Sequence, residues 1–362
     1  MQASSLENCA PAPFKPSVGP TAVCKLLARK GAWLLPYLAA VGLALEVAAR
    51  GVSTAVGKER ILTHDATTGW RLVPSTRKRH TDEERPYVIR INSHGFRGPE
   101  RDRVKPAGIR RVVVLGNSFV FGAGGVEEED TFCRRLESMW PRTEVLNMGL
   151  FGFSTDQQYL LLREKGIAFE PDLVVLGLSA TDLDQCFTSY ADRIGRPKGF
   201  LAAEPNGVRF QSPPVPFVID RLAELSYVVA LIDRRMQISS SWHRRHRIDV
   251  ALSHPARLKS LRWLLEAFRD LCAVHQIRLA VVVLPTRAGC FSDTEKELAA
   301  LAAQAGIRTI NLAQGPPFDE PSRGSALFFL RDIHLNEAGH REVANQLRDF
   351  LARDPVLAFR NN

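Results

Sequence analysis

The chain has 362 residues, 45% apolar and 24% charged, and a formal net charge of +9. This composition excludes a fibrous or disordered protein and leaves room for one large catalytic domain plus an extra module. The basic balance admits anionic partners, but no zinc-finger spacing or aromatic-basic RNA-binding motif is present, so no nucleic-acid partner is expected.

Residues 1–31 read as a tail whose first 21 residues, with four prolines and no periodicity, are expected to be disordered. From Ala32 to Ala49 runs an apolar stretch broken by Pro36 and Glu46. A span needs about 17–25 apolar residues, so 32–49 is expected to be a short transmembrane anchor in which Glu46 snorkels or pairs. The competing reading is a buried core helix or a signal-peptide core. A signal peptide is disfavoured by the long lead-in and by the lack of a small-x-small cleavage site. Lys25, Arg29 and Lys30 precede the stretch, and Arg50 and Lys58 follow it, a weak bias toward a cytoplasmic N-terminus.

Residues 50–107 read as a basic connecting region. The run Arg77-Lys78-Arg79 suggests a solvated face or a lipid-headgroup contact, and the alternation in Tyr87–Ile91 suggests an edge strand. From residue 108, apolar runs of strand length alternate with helical stretches, which predicts a parallel sheet with crossover helices. The strands are Arg111–Leu115, Glu144–Asn147, Leu173–Leu178, Leu279–Leu284 and Arg308–Asn311. The helices are Thr155–Ile167, Pro255–His275, Thr294–Ala305 and Asn336–Ala352. Residues 186–253, with Pro213-Pro214-Val215-Pro216 and the basic run 243–247, form an insertion: a substrate-shaping cap or a surface excursion.

Six cysteines, at 9, 24, 133, 186, 272 and 290, form no C-x-x-C pair and no cysteine–histidine cluster, so no metal site is expected and buried thiols are the plain reading.

Three segments carry chemistry. The first strand runs into Gly116-Asn117-Ser118-Phe119, which places a hydroxyl at the carboxyl end of the sheet; an ordinary helix N-cap is the competing reading. After the second strand comes Asn147-Met148-Gly149-Leu150-Phe151-Gly152-Phe153-Ser154-Thr155, where a backbone N–H could face a ligand or the loop could be purely structural. Near the carboxyl end stands Asp332-Ile333-His334-Leu335-Asn336, a carboxylate two residues before a histidine and just ahead of a helix.

In these three blocks, taken in order, the chain resembles the GDSL/SGNH hydrolase family over roughly residues 108–355, and its anchor and the Asn92–Arg97 lead-in look like membrane-anchored bacterial members. The resemblance implies an α/β protein: a three-layer α/β/α, flavodoxin-like domain with a parallel sheet. It makes Ser118 the nucleophile, His334 the base and Asp332 the residue that holds the imidazole. The backbone N–H groups of Ser118 and Gly152 become oxyanion donors, and His340 an ordinary helix residue. Asn117 stands where the family commonly has aspartate. Thr181 stands where the family has an oxyanion-hole asparagine, and its short side chain reaches only if the loop moves inward or a water bridges.

The expected activity is serine ester hydrolysis through an acyl-Ser118 intermediate, without cofactor, on an ester-bearing lipid or acylated cell-envelope glycan facing an extracytoplasmic, membrane-associated domain. The alternatives are O-acyl transfer to an envelope polysaccharide, or a non-catalytic glycan-binding or scaffold protein of the same fold. Oligomeric state and the identity of the acyl group are not readable.

Overall fold

The computed structural model describes residues 20–357 apart from 56–59, 81–83, 205–206, 214–217 and 288–291; the side chains of 20–33, 35, 55, 203 and 292 are also left undescribed. The chain divides into two units, Met1–Val52 and Ser53–Asn362.

The first unit is built on one long helix, α1 (Pro20–Ala55), with Pro36 inside it. Helix therefore begins within the segment expected to be a tail, while residues 1–19 lie outside the described residues. The expected anchor falls in the middle of α1. Leu38, Leu43 and Val47 are exposed along it, and Glu46 is paired with Arg50 one turn on at 2.8 Å. Among the described residues no helix is long and apolar enough to cross a membrane. The transmembrane helix expected at 32–49 is thus not supported by the described residues; the side chains of 32, 33 and 35, which belong to the stretch, lie outside them.

The second unit is organised by a five-stranded parallel sheet: β1 (Arg110–Leu115), β2 (Thr143–Asn147), β3 (Leu173–Leu178), β4 (Arg278–Val283) and β5 (Arg308–Asn311), in the order β5-β4-β3-β1-β2. Every residue of β3 is buried, and β1 is buried from Arg111 on, because both faces are covered. Val112 and Val114 belong to one apolar cluster, with Phe132, Leu136, Val343 and Leu347. Val113 and Leu115 point the other way, into a second cluster with Leu161, Leu264, Phe268 and Leu298. Alternation along one strand thus feeds two cores, which makes the unit three-layered α/β/α. The order reads 2-1-3-4-5 across the sheet, the flavodoxin-like winding, and its direction reverses between β1 and β3.

The observed strands lie within a residue of those expected. The helix expected at Thr155–Ile167 is shorter as a regular element: it runs Thr155–Leu161, then loosens into a wider turn (Leu162–Gly166) and a tighter one (Ile167–Phe169).

Residues 50–107 differ most from expectation. Instead of a connecting region, they form two antiparallel hairpins, Leu62–Asp65 with Gly69–Leu72 and Arg77–His80 with Tyr87–Arg90. The strand at 87 pairs with 77–80 and not with the main sheet. Trp70, Tyr87 and Ile89 are at most 1% exposed and pack into the second cluster, so this segment is integral to the core. The insertion at 186–253 is likewise folded, with two small hairpins and the helices Val218–Leu225, Tyr227–Met236 and Ile238–Arg245. It is fastened by Lys198, whose Nζ meets Asp156 at 2.9 Å and three backbone carbonyls, both side chains being 1% exposed. Cys133, Cys186 and Cys272 are buried free thiols.

Candidate active site

The loops that leave the carboxyl ends of β1, β2 and β3 converge at the reversal point with the segment ahead of the last long helix, α2 (Glu337–Arg353). Gly116 ends β1 in a crowded position: a Cβ there would lie 2.2 Å from Val120 Cγ2. Asn117 then caps a single helical turn, Ser118–Phe121, by accepting from the Phe119 N–H at 3.0 Å. Ser118 is the first residue of that turn.

His334 Nε2 lies 2.7 Å from Ser118 Oγ. On its other side, His334 Nδ1 is hydrogen-bonded to Asp332 Oδ1, which also accepts the His334 N–H at 2.8 Å. The hydrogen bond from His334 holds the Asp332 carboxyl below the usual carboxylate range, against the opposing effect of burial. Asn336 secures the segment: its Oδ1 caps α2 at Ala338 and Gly339, and its Nδ2 donates to the Ala326 and Phe328 carbonyls. Phe119 lies against the His334 ring at 4.9 Å. Serine, histidine and aspartate thus form one hydrogen-bonded relay across 216 residues of chain.

Among the described residues the backbone N–H groups of Ser118 and Gly152 have no acceptor. Gly152 is left-handed (φ +66°), and a Cβ there would lie 2.3 Å from Ile194 Cγ1. Asn147 braces the same region, accepting from the Gly149 N–H and donating to the Val120 carbonyl, each at 3.0 Å.

Thr181 does not stand free as a side-chain donor: its hydroxyl is 3.0 Å from Ser179 Oγ. Its neighbour Asp182, fully buried, is the hub of the site's floor. It accepts from the Ser179 N–H and hydroxyl, from Thr155 and Gln158, and from Asn117 Nδ2 at 3.3 Å. Burial pushes the Asp182 carboxyl up to about 6, though these donors pull the other way. Sequence reasoning passed over Asp182; its position directly after the expected oxyanion residue was the available signal.

Arg97 was missed as well. Its buried guanidinium donates to the carbonyls of Phe121, Gly122 and Val126, bracing the end of the serine's turn. His340 sits 1% exposed in α2, accepts the Phe132 N–H at 3.2 Å and stacks on that ring. Burial drives its pKa down to about 3, so it is a neutral packing residue.

In block order and in triad geometry the chain resembles the GDSL/SGNH hydrolases. No family model and no curated protein matches it. Among solved structures it is similar to a GDSL-like lipase from Bacteroides thetaiotaomicron VPI-5482, at 12% identity and a TM-score of 0.38, covering 68% of this chain and 90% of that one. It is also similar to a variant of an acetyl-xylooligosaccharide esterase from Geobacillus Stearmophilus, at 13% identity and a TM-score of 0.40, covering 71% and 100%. A two-domain esterase active on acetylated mannans gives 13% identity and a TM-score of 0.40, covering 68% of this chain and 50% of that one. Likeness at this level says nothing of reaction or substrate.

Proposed function

We propose that the protein is a serine ester hydrolase working through an acyl-Ser118 intermediate. The observation that carries this reading is the relay Ser118 Oγ to His334 Nε2, with His334 Nδ1 on Asp332. As Ser118 Oγ bonds to the ester carbonyl carbon, His334 takes the hydroxyl proton and Asp332 stabilises the imidazolium that forms. The carbonyl oxygen, now an oxyanion, is received by the Ser118 and Gly152 N–H groups. His334 returns its proton to the departing alcohol, and water, deprotonated by the same imidazole, then releases the acid.

The substrate we infer is a lipid or an acylated cell-envelope glycan. We place the domain outside the cytoplasm and associated with a membrane through α1. The exposed apolar side chains of that helix support the reading, and carbonate extraction of membranes containing the full chain tests it: release into the supernatant ends the anchor proposal.

For the chemistry, the full chain is treated with a fluorophosphonate probe and assayed on p-nitrophenyl acetate. Wild type is expected to label and turn over, Ser118→Ala to do neither, and Asp332→Asn to lose about 10⁴-fold in kcat. A folded wild type that neither labels nor hydrolyses sinks the hydrolase reading.

A further inference from the structure

Between the first hairpin and the insertion lies a cavity of about 480 Å³. Six arginines line it: Arg60, Arg193, Arg196, Arg221, Arg234 and Arg244. Four carboxylates share it, and each is already engaged by the fold. Asp192 pairs with Arg247 at 2.8 Å and Arg244 at 3.5 Å. Asp220 meets His243 at 2.6 Å. Asp233 accepts the Ser239 N–H and hydroxyl. Glu224 accepts the His64 N–H at 2.6 Å and sits 3.8 Å from Arg221.

Arg60 spends its guanidinium on the backbone carbonyls of Glu224 and Ala223, and three guanidiniums are left over. Among the described residues Arg193, Arg196 and Arg234 meet no carboxylate within 4 Å. Arg196 makes one long hydrogen bond there, 3.4 Å to the Leu62 carbonyl. Burial lowers its pKa, with the charges of Glu224 and Asp220 opposing. A guanidinium held partly out of water with donors to spare gains most from an anion that accepts two of its N–H groups at once. Among the described residues no Phe, Tyr or Trp lines the cavity, and those residues offer no stacking surface to a nucleobase. The cavity does offer Gln237 and Ser240 to polar neighbours of the anion. One wall is Ile194, the side chain against which Gly152 is packed, so the cavity and the candidate oxyanion loop are one side chain apart.

We propose that this cavity is an oxyanion-recognition subsite, holding a carboxylate or phosphate on a sugar of the ester-bearing substrate. The assignment rests on the hydrolase reading above and narrows its substrate to an acidic glycan. The shared chemistry is a planar or tetrahedral oxyanion accepting guanidinium N–H groups.

The test is calorimetric titration of the full chain in detergent with sodium phosphate, sodium glucuronate and glucose. Wild type is expected to bind at least one anion and not glucose; phosphate alone assigns a sugar phosphate, and glucuronate assigns a uronate. Arg196→Gln is expected to raise Kd by about tenfold, the loss of one charge-assisted contact. Arg193→Gln, at an exposed position, is expected to do the same and keeps the test sound if the first variant misfolds. Absence of binding by both anions, or a Kd unmoved in both variants, overturns the assignment. Ser118→Ala is expected to bind the anions as wild type does; a wild type that binds an anion but turns over no ester ends the hydrolase reading and leaves the cavity an anion site without the substrate assignment.

Discussion

The Asn117 side-chain amide donates to Asp182, a fully buried carboxylate, at 3.3 Å, and to Ser179 Oγ at 2.7 Å. An aspartate at 117 would set two carboxylates about the Ser179 hydroxyl, which can donate to only one of them. Asn117→Asp is therefore expected to lower both Tm and ester turnover, and thermal melts beside p-nitrophenyl acetate assays check it. A variant as stable as wild type would mean that the amide does not bridge this network.

Asp182 also shapes stability against pH. Its folded pKa, about 6, is raised above the usual carboxylate value. The folded state therefore binds the proton more tightly, and this contribution is fully present below about pH 4 and lost as pH rises toward 6. Asp182→Asn removes the titration, so the Tm advantage of wild type over the variant is expected to be larger at pH 4.5 than at pH 7. Melts at the two values decide it; an advantage that grows with pH contradicts the assignment.

Gly152 combines a left-handed backbone with a side-chain neighbour where its Cβ would be. Gly152→Ala is expected to cost about 1–2 kcal/mol from the backbone conformation alone, with a further loss from the clash. Displacing the oxyanion N–H should reduce kcat by about 10²-fold. Adding Ile194→Ala removes the clash but not the strain, so it is expected to restore part of the stability; unfolding curves of the single and double variants measure the share.

Thr181 is occupied by Ser179, so in the proposed mechanism the oxyanion is met by backbone donors. Thr181→Asn is expected to raise kcat, by at most about 10²-fold if its amide reaches the oxyanion. Steady-state kinetics on p-nitrophenyl acetate reads this directly, and a fall in kcat would show that the Thr181–Ser179 contact matters more than the extra donor.

Lys198→Met leaves Asp156 buried and unpaired, a change that costs about 3–5 kcal/mol. The Lys198→Met, Asp156→Asn double variant is expected to recover most of it. Denaturant midpoints separate the two, and equal loss in both would assign the effect to packing of the insertion.

The sheet was legible because strands buried on both faces leave unbroken Val, Ile and Leu runs, as in Arg111–Leu115 and Leu173–Leu178. Ser118 was legible as a serine at a strand end and Asp332 and His334 as a short motif ahead of a helix, and only the resemblance of the blocks to one family joined the serine to a histidine 216 residues away. The hairpins of residues 60–90 were not, since four-residue strands interrupted by charges carry little periodicity. Asp182 and Arg97 escaped for a different reason. Their partners lie at 117, 155, 158 and 179 for one, and at 121, 122 and 126 for the other, and no local pattern announces a contact that the fold alone creates. The span expected at 32–49 was read with Pro36 and Glu46 already in view, and among the described residues no helix is long and apolar enough to cross a membrane.

The relay joins a hydroxyl at position 118 to an imidazole 216 residues further along, and α2 beyond it supplies Val343 and Leu347 to one of the two cores. On a ribosome, the serine's turn emerges long before its base exists. A growing chain therefore carries an inert hydroxyl until His334 and α2 have emerged as well, and the proposed nucleophile is armed only once both have docked.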